Sequence, residues 1–303
     1  MLYHYLITGN DHSRKAFLQL TEWVRNFYEG SGTLLGVILS IKNRNQPGSK
    51  NILTGKYPLD RGTANYINAL LDKFLLTQEP NSLYHVEHII TNTVHPLDKI
   101  DTRNLGDVEV SWFYTVFFQS VCRYLQTKEE LSALDPSFYY ARDSLLHYAD
   151  WMVENEYPYL QKPEILEFPN HTWTAQDIRK VNILLFAQYY SPSGASAYSA
   201  KARELYGYIV ENLSQEKTRS YTRILAILMQ NHGAIAYFDK LDQKPDFKPI
   251  QDYHPLRKNT SFVVIKNALL AIISAIKTFS LRRELLWLSH RSSTIAKFLI
   301  EKP

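Results

Sequence analysis

The chain has 303 residues, 45% hydrophobic and 21% charged, with 34 Lys and Arg against 30 Asp and Glu for a formal net charge of +4. That length supports one large domain or two ordinary ones around a substantial core. The charges are dispersed, with no block of five like residues, which argues against a nucleic-acid partner. The single cysteine, Cys122, rules out a disulfide framework and lies in an apolar run with Phe117, Phe118 and Val121, the setting of a small buried hydrophobe.

From the N-terminus, MLYHYLITGNDHSRKA lacks the basic region, apolar stretch and cleavage motif of a secretory leader, so a cytoplasmic protein is expected. Helical periodicity dominates the rest. Alternating Val/Ile/Thr runs are few, and no Asn-Gly or Asp-Gly hairpin turn occurs. The pattern predicts an all-α protein with helices over 2–8, 12–28, 61–77, 80–93, 108–127, 137–155, 173–190, 194–214, 217–232, 260–278 and 280–300. Long connections fall at 44–60, 94–107, 156–172 and 240–259, and the prolines of the last make it a candidate lid or mobile connector. The most apolar segment, Phe262 to Ile276, is interrupted by Lys266 and Asn267. It falls short of the ~20 residues of a membrane span, so a buried helix and no membrane partner are expected.

A weak internal repeat runs through these elements. YLITGNDHSRKAFLQL (5–20), FLLTQEPNSLYHVEHI (74–89) and YYSPSGASAYSAKARELYGYI (189–209) share one grammar: an apolar helix end, a short polar turn, then an amphipathic helix. YLQTKEELSALDPSFYYARDSLL (124–146) follows it with a longer turn. Tight turns of this kind join antiparallel helical hairpins, here recurring at roughly 50–60 residues. The candidate inner helices RGTANYINALLDKFLL, VEVSWFYTVFFQSVCRYL and WTAQDIRKVNILLFAQYY are polar at the N-terminal end and apolar beyond it. Helices packed on most sides but opening one end onto a wet central funnel have that pattern, and an (α/α) toroid of helical hairpins is the expected architecture. An open solenoid of fixed repeat length is the alternative, and its recurring small residues are missing.

The succession RGTANYINALLDKFLLT, HPLDKIDTRNLGDVEVSWFYTVFFQS and SLLHYADWMVENEYPYLQKPEILEFPNHTWTAQDIRKVNILL resembles the (α/α) six-hairpin glycosidase-like proteins. Within them it is similar to an uncharacterised bacterial group associated with polysaccharide metabolism. The resemblance covers roughly residues 1–215 and contains no established catalytic motif. It implies a carbohydrate substrate, although such toroids host hydrolases, lyases, epimerases and non-enzymes alike. About five hairpins are legible, in one toroid-like domain over 1–303. The chain opens on what reads as the second half of an inner helix, so an incomplete toroid, a truncated frame or part of a larger protein is expected.

Three segments carry candidate chemistry. HPLDKIDTRNLGDVEVSW supplies Asp98, Asp101, Asp107 and Glu109 with Arg103 and Trp112, and Tyr114 follows. Glycosidic hydrolysis needs two carboxyl groups flanking one bond, and Asp107 and Glu109 sit where loop becomes helix; for Asp107, helix capping is the equal alternative. Asp98 and Asp101 read as solvated loop residues, and the loop lacks the spacing and glycine of an EF-hand. In PNHTWTAQDIRK, Trp173 offers a stacking wall or a staple for the helix start, and Gln176 and Arg179 are polar contacts. Asp177 there is an acid/base candidate or a structural ion-pair partner. Glu164 and Glu167 precede them as exposed loop charges. In DRGTANYINAL, Arg61 and Asn65 share one helix face, where an arginine holds a uronate or sulfate or else ties down a loop.

His85, His88 and His147 read as satisfied or surface histidines, since HExxH is missing, and no metal is expected. Phosphate-loop, Gly-x-Ser-x-Gly and GxGxxG motifs are missing too, so no cofactor is expected. The resulting expectation is a carbohydrate-active protein. Asp107, Glu109 and Asp177 would be its acid/base groups. Arg61, Arg103 and Arg179 would hold anionic substituents, with Trp112, Tyr114 and Trp173 as stacking rings. Glycosidase-like hydrolysis leads, with lyase or epimerase chemistry and non-catalytic glycan binding or assembly as the alternatives. The oligomeric state is not legible.

Overall fold

The computed structural model describes residues 1–30, 32–44, 48–194, 196–216, 222–241, 245–254, 261–289, 292 and 294. Their regular secondary structure is helical, with no strand among the described residues, as the periodicity predicts. In chain order the helices are α1 (Leu2–Thr8), α2 (Asp11–Glu29), α3 (Leu34–Lys42), α4 (Arg61–Thr77), α5 (Pro80–Thr91), α6 (Val108–Ser111), α7 (Tyr114–Glu130) and α8 (Pro136–Asn155). They continue with α9 (His171–Gln176), α10 (Ile178–Tyr190), α11 (Ser196–Gln215), α12 (Thr222–Asn231), α13 (Gly233–Phe238), α14 (Ser261–Lys277) and α15 (Leu281–Ser289). The predicted extensions over 217–221 and beyond 289 fall almost wholly outside the described residues.

The helix ends have local chemical causes. Gly9 closes α1 in the left-handed region at φ 67°, and the Asn10 side chain then accepts the His12 and Ser13 amides at 2.9 and 3.2 Å to start α2. Asp135 caps α8 by accepting the Phe138 amide at 3.0 Å, with Pro136 at the first helical position. α3 departs from the sequence reading, which has no element there. LLGVILSIK is apolar at nearly every position and shows no period, so its helix is set by its ends and its packing instead. Thr33 accepts the Gly36 amide at 3.1 Å, and the buried Glu284 carboxylate of α15 accepts the Leu34 and Leu35 amides at 2.7 and 3.1 Å.

The chain divides into two compact units. The first comprises residues 1–58, 66–93 and 256–303, and the second residues 59–65 and 94–255. In the first unit, Tyr66, Ile67, Leu70 and Leu71 of α4 and Val86 and Ile89 of α5 are buried, and Tyr28 stacks on Tyr66 at 5.0 Å. α14 packs against α3. Of its residues only Ala275 is buried, and Phe262 and Ile265 are 75% and 59% exposed, so the expected buried helix is corrected to one that is covered on a single side. No single helix among the described residues is long and apolar enough to cross a membrane; α14 and α15 pass that test only as a pair bent by 110°.

In the second unit α10 is the centre, packed against α7, α8 and α11. Val181, Ile183, Leu184 and Ala187 are fully buried against elements that bring Phe117, Phe118, Leu145 and Ala149 inward. Each Val, Ile, Leu or Phe side chain among them contributes about 1.5–3 kcal/mol by leaving water. Cys122 is buried on α7, where desolvation pushes its thiol well above its ordinary pKa.

Residues 245–254, within the stretch expected as a lid or mobile connector, lie across α8 as an extended belt. Arg142 donates to the carbonyls of Lys248 and Pro249 at 2.6 and 3.2 Å. Its neighbour and ion-pair partner Asp143 accepts the Gln251 amide at 3.2 Å and the Tyr253 hydroxyl at 2.7 Å. Phe247 packs on Phe138 and Tyr190.

Candidate functional site

The predicted inner helices of the second unit are interrupted close to their N-terminal ends, at Trp112–Phe113 between α6 and α7 and at Asp177 between α9 and α10. All three residues keep helical backbone angles. Asn170 starts α9 by accepting the Thr172 amide at 2.9 Å.

Four of the sequence-predicted residues come together at these starts. Glu109, Trp112, Trp173 and Gln176 line a cavity of about 200 Å³, with Phe168, Asn170, Thr172 and Arg223 completing it. The two indoles meet edge to face at 6.1 Å and rest on a small core of Val108, Tyr159 and Leu166. Trp173 is oriented by donating Nε1–H to the Phe168 carbonyl at 3.2 Å. Glu109 accepts the Glu167 amide at 2.6 Å, which ties the 156–170 loop to the start of α6. Glu164 and Glu167 themselves are exposed.

Asp177 does not line this cavity. It is fully buried, accepts the Tyr159 amide at 3.2 Å and pairs with Lys180 at 2.8 Å. Lys180, also fully buried, bonds Glu156 at 2.7 Å and the Tyr157 carbonyl at 2.6 Å, and its ammonium lies over the Tyr159 ring. Tyr114 is buried and donates its hydroxyl to Glu156. Burial raises the Asp177 pKa and Lys180 opposes it, leaving the carboxyl at about 6. Burial, together with Glu156, pushes the Tyr114 phenol far above its ordinary range. This cluster is a dry polar knot joining loop 156–159 to α10.

Arg179 connects the cavity wall to the interior. It donates to Gln176 at 2.7 Å and Gln119 at 2.5 Å; Gln119 donates to Asn231 at 2.5 Å, and Asn182 donates to the same oxygen at 3.2 Å. Burial, and Arg61 further on, lower the Arg179 pKa. Arg61 is exposed at the start of α4 with its guanidinium 5.1 Å from the Phe113 ring, and Asn65 is exposed. Asp107 is exposed at the start of α6, and its side chain makes no capping hydrogen bond.

Arg103 is elsewhere, paired with Asp98 at 2.6 Å. Asp98 is corrected from a solvated loop residue to a hub, because it also accepts the Tyr148 hydroxyl at 2.9 Å and the His95 amide at 3.0 Å. The three candidate acids thus occupy three settings: Asp107 on the surface, Glu109 at the cavity and Asp177 in the interior.

The sequence reading omits Phe168, Asn170, Thr172 and Arg223. Asn170 and Thr172 lie within PNHTWTAQDIRK, and Phe168 immediately precedes it. Arg223 comes from α12 and carries no local signal. The chain matches no protein-family description, no curated protein and no solved structure.

Proposed function

We propose that the chain binds an acidic glycan at the Trp112–Trp173 cavity without processing it. The observation that carries this reading is the edge-to-face indole pair beside Asn170, Gln176 and Arg223. Indole faces receive the C–H face of a sugar ring, amides pair its hydroxyls, and an arginine matches a uronate or sulfate. Hydrolysis would need two carboxyl groups across one bond; among the described residues Glu109 is the only carboxylate lining the cavity, and it holds a loop amide. An (α/α) toroid is the architecture we infer. α7 and α10 pack together, α8 contacts both α10 and α11, and α10 pairs with α11, which is how one sector of such a ring is built. The alternative is a hydrolase, in which Asp177, fully buried and paired with Lys180, would have to be uncovered towards the cavity to act as the general acid.

Titration of acidic and neutral oligosaccharides, with reducing-end release and unsaturated-uronate absorbance followed in parallel, tests both. Binding of acidic glycans without turnover, weakened roughly tenfold by Trp173→Ala, supports the binding reading. Turnover abolished by Asp177→Asn in a folded protein supports the hydrolase. No affinity for any glycan overturns both.

A further inference from the structure

The first unit contains a larger cavity, of about 490 Å³, that the preceding reading does not use. It falls within the roughly 300–1,000 Å³ of small-molecule sites. The end of α2, α3, residues 48–55 and one side of α14 and α15 form its wall.

Among the described residues the only charged groups lining it are Glu29 and Lys50, which pair at 2.5 Å. Tyr57 donates to the same carboxylate at 2.5 Å, and His85 Nε2 hydrogen-bonds it at 3.0 Å with the Tyr66 hydroxyl 3.2 Å behind. Burial works to raise the Glu29 pKa, but hydrogen bonds from His85, Lys50 and Tyr57 outweigh it and bring the carboxyl to about 2. Glu29 is therefore a permanent acceptor with fixed orientation. The amides of Asn26 and Asn43 and the hydroxyls of Ser40 and Ser49 add donors and acceptors, and Tyr28 and Trp287 add rings.

The ligand class follows from this lining. An anion would meet Glu29 and a cation would meet Lys50, each at short range and partly desolvated. A purely apolar ligand would displace water from the amides without replacing its hydrogen bonds. An uncharged polyhydroxyl compound satisfies all of these groups, with hydroxyls on the Glu29–Lys50 pair and the amides, and C–H faces on the rings. We propose that the first unit carries a second binding site, specific for a neutral sugar, with Glu29 and Lys50 as its fixed acceptor and donor.

The test is calorimetric titration of the full chain with a panel of neutral mono- and disaccharides. Binding to at least one sugar is expected, weakened at least tenfold by Glu29→Gln and abolished by Ser40→Trp, which fills the cavity from α3 and leaves the Glu29 hydrogen bonds in place. Should Glu29→Gln fail to fold by circular dichroism, Ser40→Trp decides alone. Trp112→Ala with Trp173→Ala should leave neutral-sugar binding unchanged. No neutral sugar bound at millimolar concentration, or binding indifferent to Ser40→Trp, overturns the proposal. Loss only with the double tryptophan change overturns this site and leaves the acidic-glycan reading standing.

Discussion

Each unit contains a carboxylate tied to a lysine, and the two titrate in opposite directions. Glu29 borders a cavity and accepts from a lysine, a histidine and a tyrosine, and its pKa falls to about 2. Asp177 is wholly enclosed, shares its lysine with Glu156, and its pKa rises to about 6. A lysine partner alone therefore does not set the state of a carboxylate. The number of donors weighed against the water lost decides it. The wet network is fitted to hold a charge in front of a ligand, and the dry one to hold the chain together.

The largest effect that could break this contrast is expected at Lys180. Lys180→Met removes the one ammonium shared by two buried carboxylates, and urea unfolding should show a loss of about 3–5 kcal/mol. A loss below about 1 kcal/mol, the range of surface pairs, would mean that the knot is solvated.

The pH dependence sharpens the comparison. Asp177 has its folded pKa raised from 3.8 to about 6, so its contribution to stability is full below about pH 4 and is lost as pH rises through 6. Glu29 has its folded pKa lowered from 4.5 to about 2, so its contribution is full above pH 4.5 and is lost as pH falls towards 2. Thermal melts across pH 2–8 should therefore lose slope between about pH 4 and 6 in Asp177→Asn, and below about pH 4.5 in Glu29→Gln. Unchanged profiles in both variants would remove the distinction.

The smallest effect concerns placement of the candidate site. Asn170→Ala removes the α9 cap and should cost about 1 kcal/mol, read by urea unfolding. It should also weaken acidic-glycan binding, since Asn170 lines the Trp112–Trp173 cavity.

Much of the architecture was legible where periodicity and caps agreed. α4 spans the predicted 61–77, and α1 the predicted 2–8. α3 escaped because a uniformly apolar segment has no period, and its helix start is fixed by Glu284, 250 residues away from Leu34. At the site, the polar first turn of an otherwise apolar helix pointed to Trp173 and Gln176, and both reach the cavity. Asp177 looked equivalent from its position one turn after Trp173. Its burial depends on Tyr159 and Glu156, which come from another segment, and no local spacing conveys that. Arg223 and the Glu29 cluster were illegible for the same reason, since their partners meet only in three dimensions.

The belt over 245–254 carries a consequence of its own. Three of its main-chain groups are satisfied by two adjacent side chains of α8, Arg142 and Asp143, while its rings are seated separately, Phe247 on Phe138 and Tyr190 and Tyr253 on Tyr140. Such a fastening works like a buckle with a second catch: loss of either half of the Arg142–Asp143 clasp removes the polar hold and leaves the Phe247 and Tyr253 rings to keep the strap in place.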